Sequence, residues 1–282
     1  MNIKKISFFD KKLLQNTGAL ISIFASIATL VFVFIKLPDW FLLKLFLSVV
    51  LLLIILCFHF YRWSKANNMS ALSIKIRNTN VKIDFVEDIF TQSGIKIIAC
   101  NEYFDTRADD VLVSKASIHG QFLEKISDEN LETKINNDLH LAKLKSKINN
   151  KRVSGNKQSY KLGSIFKYEL TKETDNTYFL VAFSKVDEDN KAIMSIEEYI
   201  TSLIRMWHEI DCLYSGRAVV MPLIGNGITR IEDYKDISAQ EKLELLLRTL
   251  KFSGNNFRSG IHIALHNKIQ NDINLYRIKD TF

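Results

Sequence analysis

Ala218-Val219-Val220-Met221-Pro222-Leu223-Ile224-Gly225-Asn226-Gly227-Ile228-Thr229-Arg230 joins a short apolar run to a loop with two glycines. A run of this kind, bounded by turn residues, reads as a buried strand over 218–224. A glycine loop at the carboxyl end of such a strand lets backbone N–H groups come close to a phosphate, and ligands of open α/β sheets collect at that edge. Gly-Asn-Gly also serves as a plain turn, so the stretch by itself leaves both roles open.

Outward from this strand the pattern alternates between helix and strand. Ser195 with Glu198 forms a capping box, and Tyr199, Ile200, Leu203, Ile204, Trp207 and Ile210 recur at helical spacing. That predicts an amphipathic helix with Met206 and Trp207 in the core. Ser238 with Glu241 opens a second capped helix that runs through Leu250 and ends near Gly254. Runs at 81–86, 95–99, 165–170, 177–185 and 261–265 read as further strands. The charged, Asn-rich stretch 123–151 predicts helical content through Leu131, Ile135, Leu139, Leu144 and Ile148, and 151–161 around Gly155 is expected to be a mobile surface loop. Strands alternating with amphipathic helices describe a three-layer α/β domain.

The 47% hydrophobic content of the 282 residues is unevenly spread. Residues 13–35 hold only Gln15 and Asn16 as strongly polar side chains, and 40–61 hold Lys44 as the one charged residue. Each stretch exceeds the roughly 20 residues with which a helix crosses ~30 Å of hydrocarbon. Core helices are usually shorter and keep a polar face, so the pair reads as a transmembrane hairpin, and no small-residue cleavage site after Ile35 marks the first as a signal peptide. Lys36, Leu37, Pro38 and Asp39 leave room for a tight turn only. Lys4, Lys5, Lys11, Lys12, Arg62 and Lys65 flank the hairpin, which places both termini in the cytoplasm, and Trp40, Tyr61 and Trp63 sit at aromatic-belt positions. The organisation is thus a cytoplasmic N-terminus (1–12), the hairpin (13–61), a juxtamembrane linker (62–79) and a globular domain (80–282).

Attraction of the juxtamembrane lysines to anionic lipid accounts for part of the net charge of +7 without nucleic acid. Cys57, Cys100 and Cys212 have no paired or metal-ligand spacing, so neither a disulfide nor a metal site is expected.

The globular part, from about residue 80 onward, resembles the macro domain, a family of ADP-ribose-binding α/β modules, at four places. Val86-Glu87-Asp88-Ile89-Phe90 resembles the Gly-Asp-Ile-Thr element, which implies that Asp88, followed by Ile89, accepts from the adenine amino group. Ile97-Ile98-Ala99-Cys100-Asn101 resembles the strand entering the Asn-rich loop, which implies that Cys100, Asn101 and Asp105 meet the distal ribose. Ser117-Ile118-His119-Gly120 stands where macro domains begin the next helix. Residues 221–229 resemble the phosphate loop Pro-x-x-Gly-x-Gly, which implies a diphosphate over Gly225, Asn226, Gly227, Ile228 and Thr229, with both glycines where a Cβ would intrude. The resemblance implies a mixed sheet between two helical layers. Between Asn101 and His119 the segment Glu102-Tyr103-Phe104-Asp105-Thr106-Arg107-Ala108-Asp109-Asp110 lacks the Gly-Gly-Gly run of hydrolytic macro domains. Its absence favours binding over catalysis, with no catalytic residue, cofactor or metal.

A transmembrane hairpin followed by a divergent macro domain is similar to the effectors of type II Thoeris, a bacterial anti-phage defence system. That resemblance implies a nucleotide signal from a TIR-domain partner, a histidine conjugate of ADP-ribose, sensed by the macro domain. It also implies a homo-oligomer in the bacterial inner membrane whose hairpins assemble, disrupt the lipid bilayer and cause abortive infection by death or growth arrest. A membrane-tethered ADP-ribosyl hydrolase is the alternative, and a plain anchor for an interaction domain a third reading. His119 either contacts the ligand or caps the helix that follows. Cys100 has no base near it in sequence and reads as a packed thiol rather than a nucleophile. Phe252 and Phe257 are candidates for stacking on the ligand, with packing the plainer role. Deleting residues 1–63 should leave a soluble protein; sedimentation of that truncation with membranes in high salt would contradict the assignment.

Overall fold

The computed structural model describes residues 6–34, 40–170, 177–187, 189–227 and 229–282. The turn 36–39, Lys4, Lys5 and Ile228, each given a role above, lie outside them. The chain divides into two compact units, the first comprising Met1–Met69 with Asn274–Arg277, the second Ser70–Ile273 with Ile278–Phe282.

In the first unit, α1 (Lys11–Phe34) and α2 (Phe41–Asn67) are both long and apolar enough to cross a membrane. Their apolar side chains, among them Ile23, Phe24, Leu42 and Leu52, are exposed, as a lipid-facing surface requires. Polar contacts gather at one end. The Thr17 hydroxyl donates to the Leu13 carbonyl at 2.7 Å, and the ring of buried His59 lies between Thr17 Oγ1 (3.2 Å) and the Phe8 carbonyl (2.8 Å). Trp63 Nε1 donates to the Ile6 carbonyl at 2.8 Å. α2 therefore continues past the expected end at residue 61. The expected linker 62–79 is corrected: its first part is helix, and Ala71–Ile76 forms β1, pairing antiparallel with β2 (Thr79–Val86). The alternation Leu72, Ile74, Ile76 with Ser73 and Lys75 is a half-buried strand pattern that the polar segment before it obscured.

Among its described residues the second unit forms a nine-stranded mixed sheet. Its central strands are β2, β11 (Ile261–His266), β9 (Val219–Met221), β3 (Ile95–Asn101) and β7 (Thr177–Val186), all parallel to one another. β1 closes one edge. At the other, β6 (Ile165–Glu169) and β8 (Ala192–Met194) pair antiparallel with successive parts of β7, and β10 (Arg230–Ile231) pairs with β8. Strand β9 is shorter than the expected 218–224, because Pro222 has no N–H to continue a ladder.

α3 (Ile118–Ile126), α4 (Leu131–Asn136) and α5 (Leu139–Ala142) cover one sheet face, where Ile98, Cys100, Leu180 and Ala182 meet Phe122, Leu131 and Leu141. α6 (Ile196–Leu213) and α7 (Ala239–Ser253) pack on each other. Both begin at the expected capping boxes, with the Ser195–Glu198 and Ser238–Glu241 reciprocal bonds present, and α7 ends on Gly254 in a left-handed conformation. Trp207 and Met206 are fully buried, and Trp207 Nε1 donates to Thr249 Oγ1 at 3.1 Å.

Two expectations for the middle of the chain fail. Residues 145–148 are β4 (Lys145–Ile148), paired with β5 (Gln158–Tyr160) in a separate two-stranded sheet, rather than helix. The segment 151–161 is anchored rather than mobile, because buried Arg152 holds it from within. Phe257, fully buried against Trp207 and Tyr214, packs rather than stacks on a ligand, whereas Phe252 is exposed.

Candidate functional site

A cavity of about 270 Å³ opens at the carboxyl ends of β3, β7 and β9. Its walls come from four places: 99–101 at the end of β3, 112–119 leading into α3, Ser184, Asn190 and Ala192 on either side of the β7–β8 turn, and 222–225 with Gly227 and Thr229 after β9. This is the edge at which a parallel sheet leaves a crevice between diverging connections.

The glycine loop is held from beneath. Tyr199 of α6, itself buried, donates its hydroxyl to the Ile224 carbonyl at 2.9 Å, and buried Lys242 of α7 donates to the Gly225 carbonyl at 2.9 Å. A trans peptide sets its N–H opposite its C=O. With the Ile224 carbonyl drawn toward Tyr199, the Gly225 N–H points away from that ring. The two glycines have different reasons to be glycine. Gly225 has φ +75°, and a Cβ there would lie 2.5 Å from Tyr199 Cε2; Gly227 has open space around the position of its missing Cβ. The protein itself thus requires glycine at 225, whereas at 227 no described residue meets a side chain, so that only a bound ligand could demand glycine there. Asn226 sits between them, half-exposed, its N–H turned back to the Leu223 carbonyl at 3.3 Å, and it does not border the cavity. Thr229 does.

The Asn101 side chain borders the cavity, but its groups are largely committed. Its Oδ1 accepts from the N–H groups of Tyr103 (3.1 Å) and Asp105 (3.3 Å), and its Nδ2 donates to Asp105 Oδ2 at 2.7 Å. One N–H is left for a ligand. Asp105 itself is buried away from the cavity. Both its oxygens accept from the Arg152 guanidinium, at 2.9 and 2.6 Å, and Oδ1 also accepts from the Asn156 N–H at 2.9 Å. The ribose role given to Asp105 is therefore corrected to a bracing one: a carboxylate with four donors has no lone pair direction left for a hydroxyl.

Ser117 caps α3, its hydroxyl accepting from the Gly120 N–H at 3.0 Å. The open choice for His119 is thereby decided against capping. Its ring is about nineteen-twentieths buried, borders the cavity and meets no hydrogen-bond partner among the described residues. Burial pulls its pKa down to about 4 against the opposing pull of Asp105, so the ring is neutral at pH 7. Gly120 lies behind, where a Cβ would come within 2.2 Å of the Ser114 carbonyl; its role is close packing, not contact. Cys100 borders the cavity with a thiol that burial pushes well above its ordinary pKa, so it is not a thiolate nucleophile.

Asp88 and Ile89 are outside the cavity. The Asp88 carboxylate accepts from the Phe90 N–H at 2.8 Å in a local turn, and Ile89 packs with Val220 and Ala264. The residues missed by the sequence reading are Tyr199, Lys242 and Arg152, which position the site from beneath, and Ser184 and Asn190, which border it from the β7–β8 connection. Asn190, in a left-handed conformation with φ 58°, accepts from Arg152 at 3.2 Å.

The chain is similar to known proteins in sequence and in fold. The family described as "Thoeris protein ThsA, Macro domain" matches residues 81–266. The Thoeris protein ThsA of Bacillus amyloliquefaciens (strain Y2) is 34% identical over 247 residues, covering 85% of this chain and 79% of that protein. Among solved structures, a point mutant of the Oceanobacillus iheyensis macrodomain with ADPR superposes with a TM-score of 0.51 at 12% identity, over 75% of this chain and 98% of that one. The same macrodomain with ADP gives 0.45 at 8% identity, over 75% and 96%.

The two glycines should separate in experiment. Gly225→Ala should lower stability by roughly 2–4 kcal/mol in thermal or chemical denaturation, from left-handed strain plus the collision with Tyr199. Gly227→Glu should leave the melting temperature unchanged and abolish nucleotide binding.

Proposed function

The chain belongs to the Thoeris ThsA macro-domain family, and from that premise we propose that it is a membrane effector of anti-phage defence whose macro domain binds an ADP-ribose derivative. The ligand is a nucleotide signal from a TIR-domain partner, a histidine conjugate of ADP-ribose. The observation that carries the proposal is the glycine loop, which borders the cavity and whose Ile224 and Gly225 carbonyls are tied down by Tyr199 and Lys242. A loop built this way offers donors to a diphosphate and keeps its acceptors away from it. The neutral imidazole of His119, without a hydrogen-bond partner among the described residues, supplies a further hydrogen-bonding group for a ribose hydroxyl or phosphate oxygen.

Binding rather than turnover is supported by the state of the titratable groups. The Cys100 thiol is held protonated, Asp105 is consumed by Arg152 and His119 is a weak base; a hydrolase needs a group poised to move a proton near neutral pH. ADP-ribosyl hydrolysis therefore ranks below sensing.

The hairpin α1–α2, in this reading, sits in the cell membrane with the macro domain in the cytoplasm. Two helices cannot enclose a wide pore, so disruption of the bilayer requires several copies. A ligand shifts assembly only through a higher affinity for the assembled state. Histidine–ADP-ribose added to the full-length protein in detergent should raise its mass in light scattering to a discrete oligomer. An unchanged mass at saturating ligand, with binding verified by calorimetry, would contradict ligand-driven assembly.

A further inference from the structure

From Leu139 to Tyr168 the chain holds no Asp or Glu. Two cations of this stretch have partners outside it: Arg152 pairs with Asp105, and Lys167 with Glu169. Lys143, Lys145, Lys147, Lys151, Lys157 and Lys161 are all exposed and form no ion pair among the described residues.

These lysines are carried by the β4–β5 hairpin and its flanks, on a frame fixed from within. The Ser159 hydroxyl donates to the Lys147 carbonyl at 3.0 Å and accepts from the Lys147 N–H at 3.1 Å. The Asn149 N–H donates to the Lys157 carbonyl at 2.9 Å, and the Lys161 N–H to the Leu144 carbonyl at 3.0 Å. The connecting loop is tied down on both sides of Val153, by the Arg152 guanidinium and by the Asn156 N–H, each bonded to Asp105. Val153 is nevertheless 100% exposed, and Ile148 at the end of β4 is 65% exposed. A two-stranded ribbon is marginal in isolation, so the Asp105 centre is what holds these two aliphatic side chains out in water.

Unpaired cations around a pair of fixed, exposed aliphatic groups fit one class of partner. An anionic bilayer attracts lysines to its surface and takes up apolar groups at the boundary between headgroups and acyl chains. Single-stranded nucleic acid would also attract the lysines, but its bases stack on exposed aromatic rings. Tyr160, the one aromatic ring within 143–161, is buried.

We propose that the β4–β5 hairpin is a docking surface for an anionic phospholipid bilayer, with Ile148 and Val153 entering the headgroup region and the lysines lying against lipid phosphates. The spanning reading of α1 and α2 supplies the bilayer; the hairpin gives the macro domain a lipid contact of its own. Val153 stands next to Arg152, so that contact ends one residue from the ion pair that braces the ligand cavity.

Hydrogen–deuterium exchange of the full-length protein in nanodiscs tests this, comparing phosphatidylcholine alone with phosphatidylcholine plus phosphatidylglycerol. Amides of 145–158 should exchange about tenfold or more slowly in the anionic discs, as two or more lysines at a charged surface imply. High salt should erase the difference. The double variant Lys145→Glu, Lys147→Glu and the single variant Val153→Asp, all at exposed positions, should each abolish the slowing at an unchanged melting temperature. Equal exchange in both discs overturns the proposal, as does slowing that either variant retains. Protection of the same amides by single-stranded RNA, without any response to phosphatidylglycerol, overturns it in favour of a nucleic-acid surface. Failure of the protein to enter either disc overturns the spanning reading of α1 and α2, and lipid docking with it.

Discussion

The carboxylate of Asp105 is the point on which the ligand cavity depends. Placed in the dry interior, it is stabilised by four donors, two from Arg152 and one each from Asn156 and Asn101. A buried charge tolerates no less, since losing one donor leaves the rest of the ion pair under-solvated. Through these bonds the end of β3, the segment 149–157 and the β7–β8 connection at Asn190 are drawn to one centre. The geometry also dictates sequence locally: Gly155, at φ +80°, lies where a Cβ would sit 2.5 Å from Asp105 Oδ1, so no larger residue lets the chain pass. Tyr103 lies under the Arg152 guanidinium, 4.1 Å from ring centroid to Cζ, and closes the centre from solvent.

Against this fixed wall stands the glycine loop, rigid beneath and open above. Two buried side chains from two helices, Tyr199 and Lys242, each hold one carbonyl, so the loop needs no ligand to take its shape. A binding site whose donors are already oriented loses less entropy on association. The residues that touch the ligand in the proposed complex thus differ in kind from those that make the contact possible. Asn101, His119 and the loop backbone belong to the first group, and Asp105, Arg152, Tyr199 and Lys242 to the second.

The parts of this arrangement that could be read from sequence are those with local signals. The capping boxes at Ser195 and Ser238, the terminal Gly254, the two long apolar helices and the Gly-Asn-Gly loop are each written in a few consecutive residues. What escaped notice depends on distance along the chain. Arg152 lies 47 residues from the carboxylate it serves, so its segment, rich in Lys and Asn, has the composition of a solvated loop. Asp105 has the residue type and position expected of a ribose ligand, and only its partner reveals the other role. β1 was hidden because Ser73 and Lys75 fill the outward half of a short alternation next to a polar helix end. Gly225 and Gly227 are indistinguishable in sequence; Tyr199 on another element makes one of them obligatory.

Hydrogen–deuterium exchange of the full-length protein, with and without ADP-ribose, tests most directly whether this cavity is the ligand site. Amides in 223–227 and 112–119 should become protected on addition of the nucleotide, because the ligand covers the segments that wall the cavity, while those of the β4–β5 pair should exchange at an unchanged rate. Protection confined to other segments, or none at a concentration where calorimetry records binding, would contradict the account.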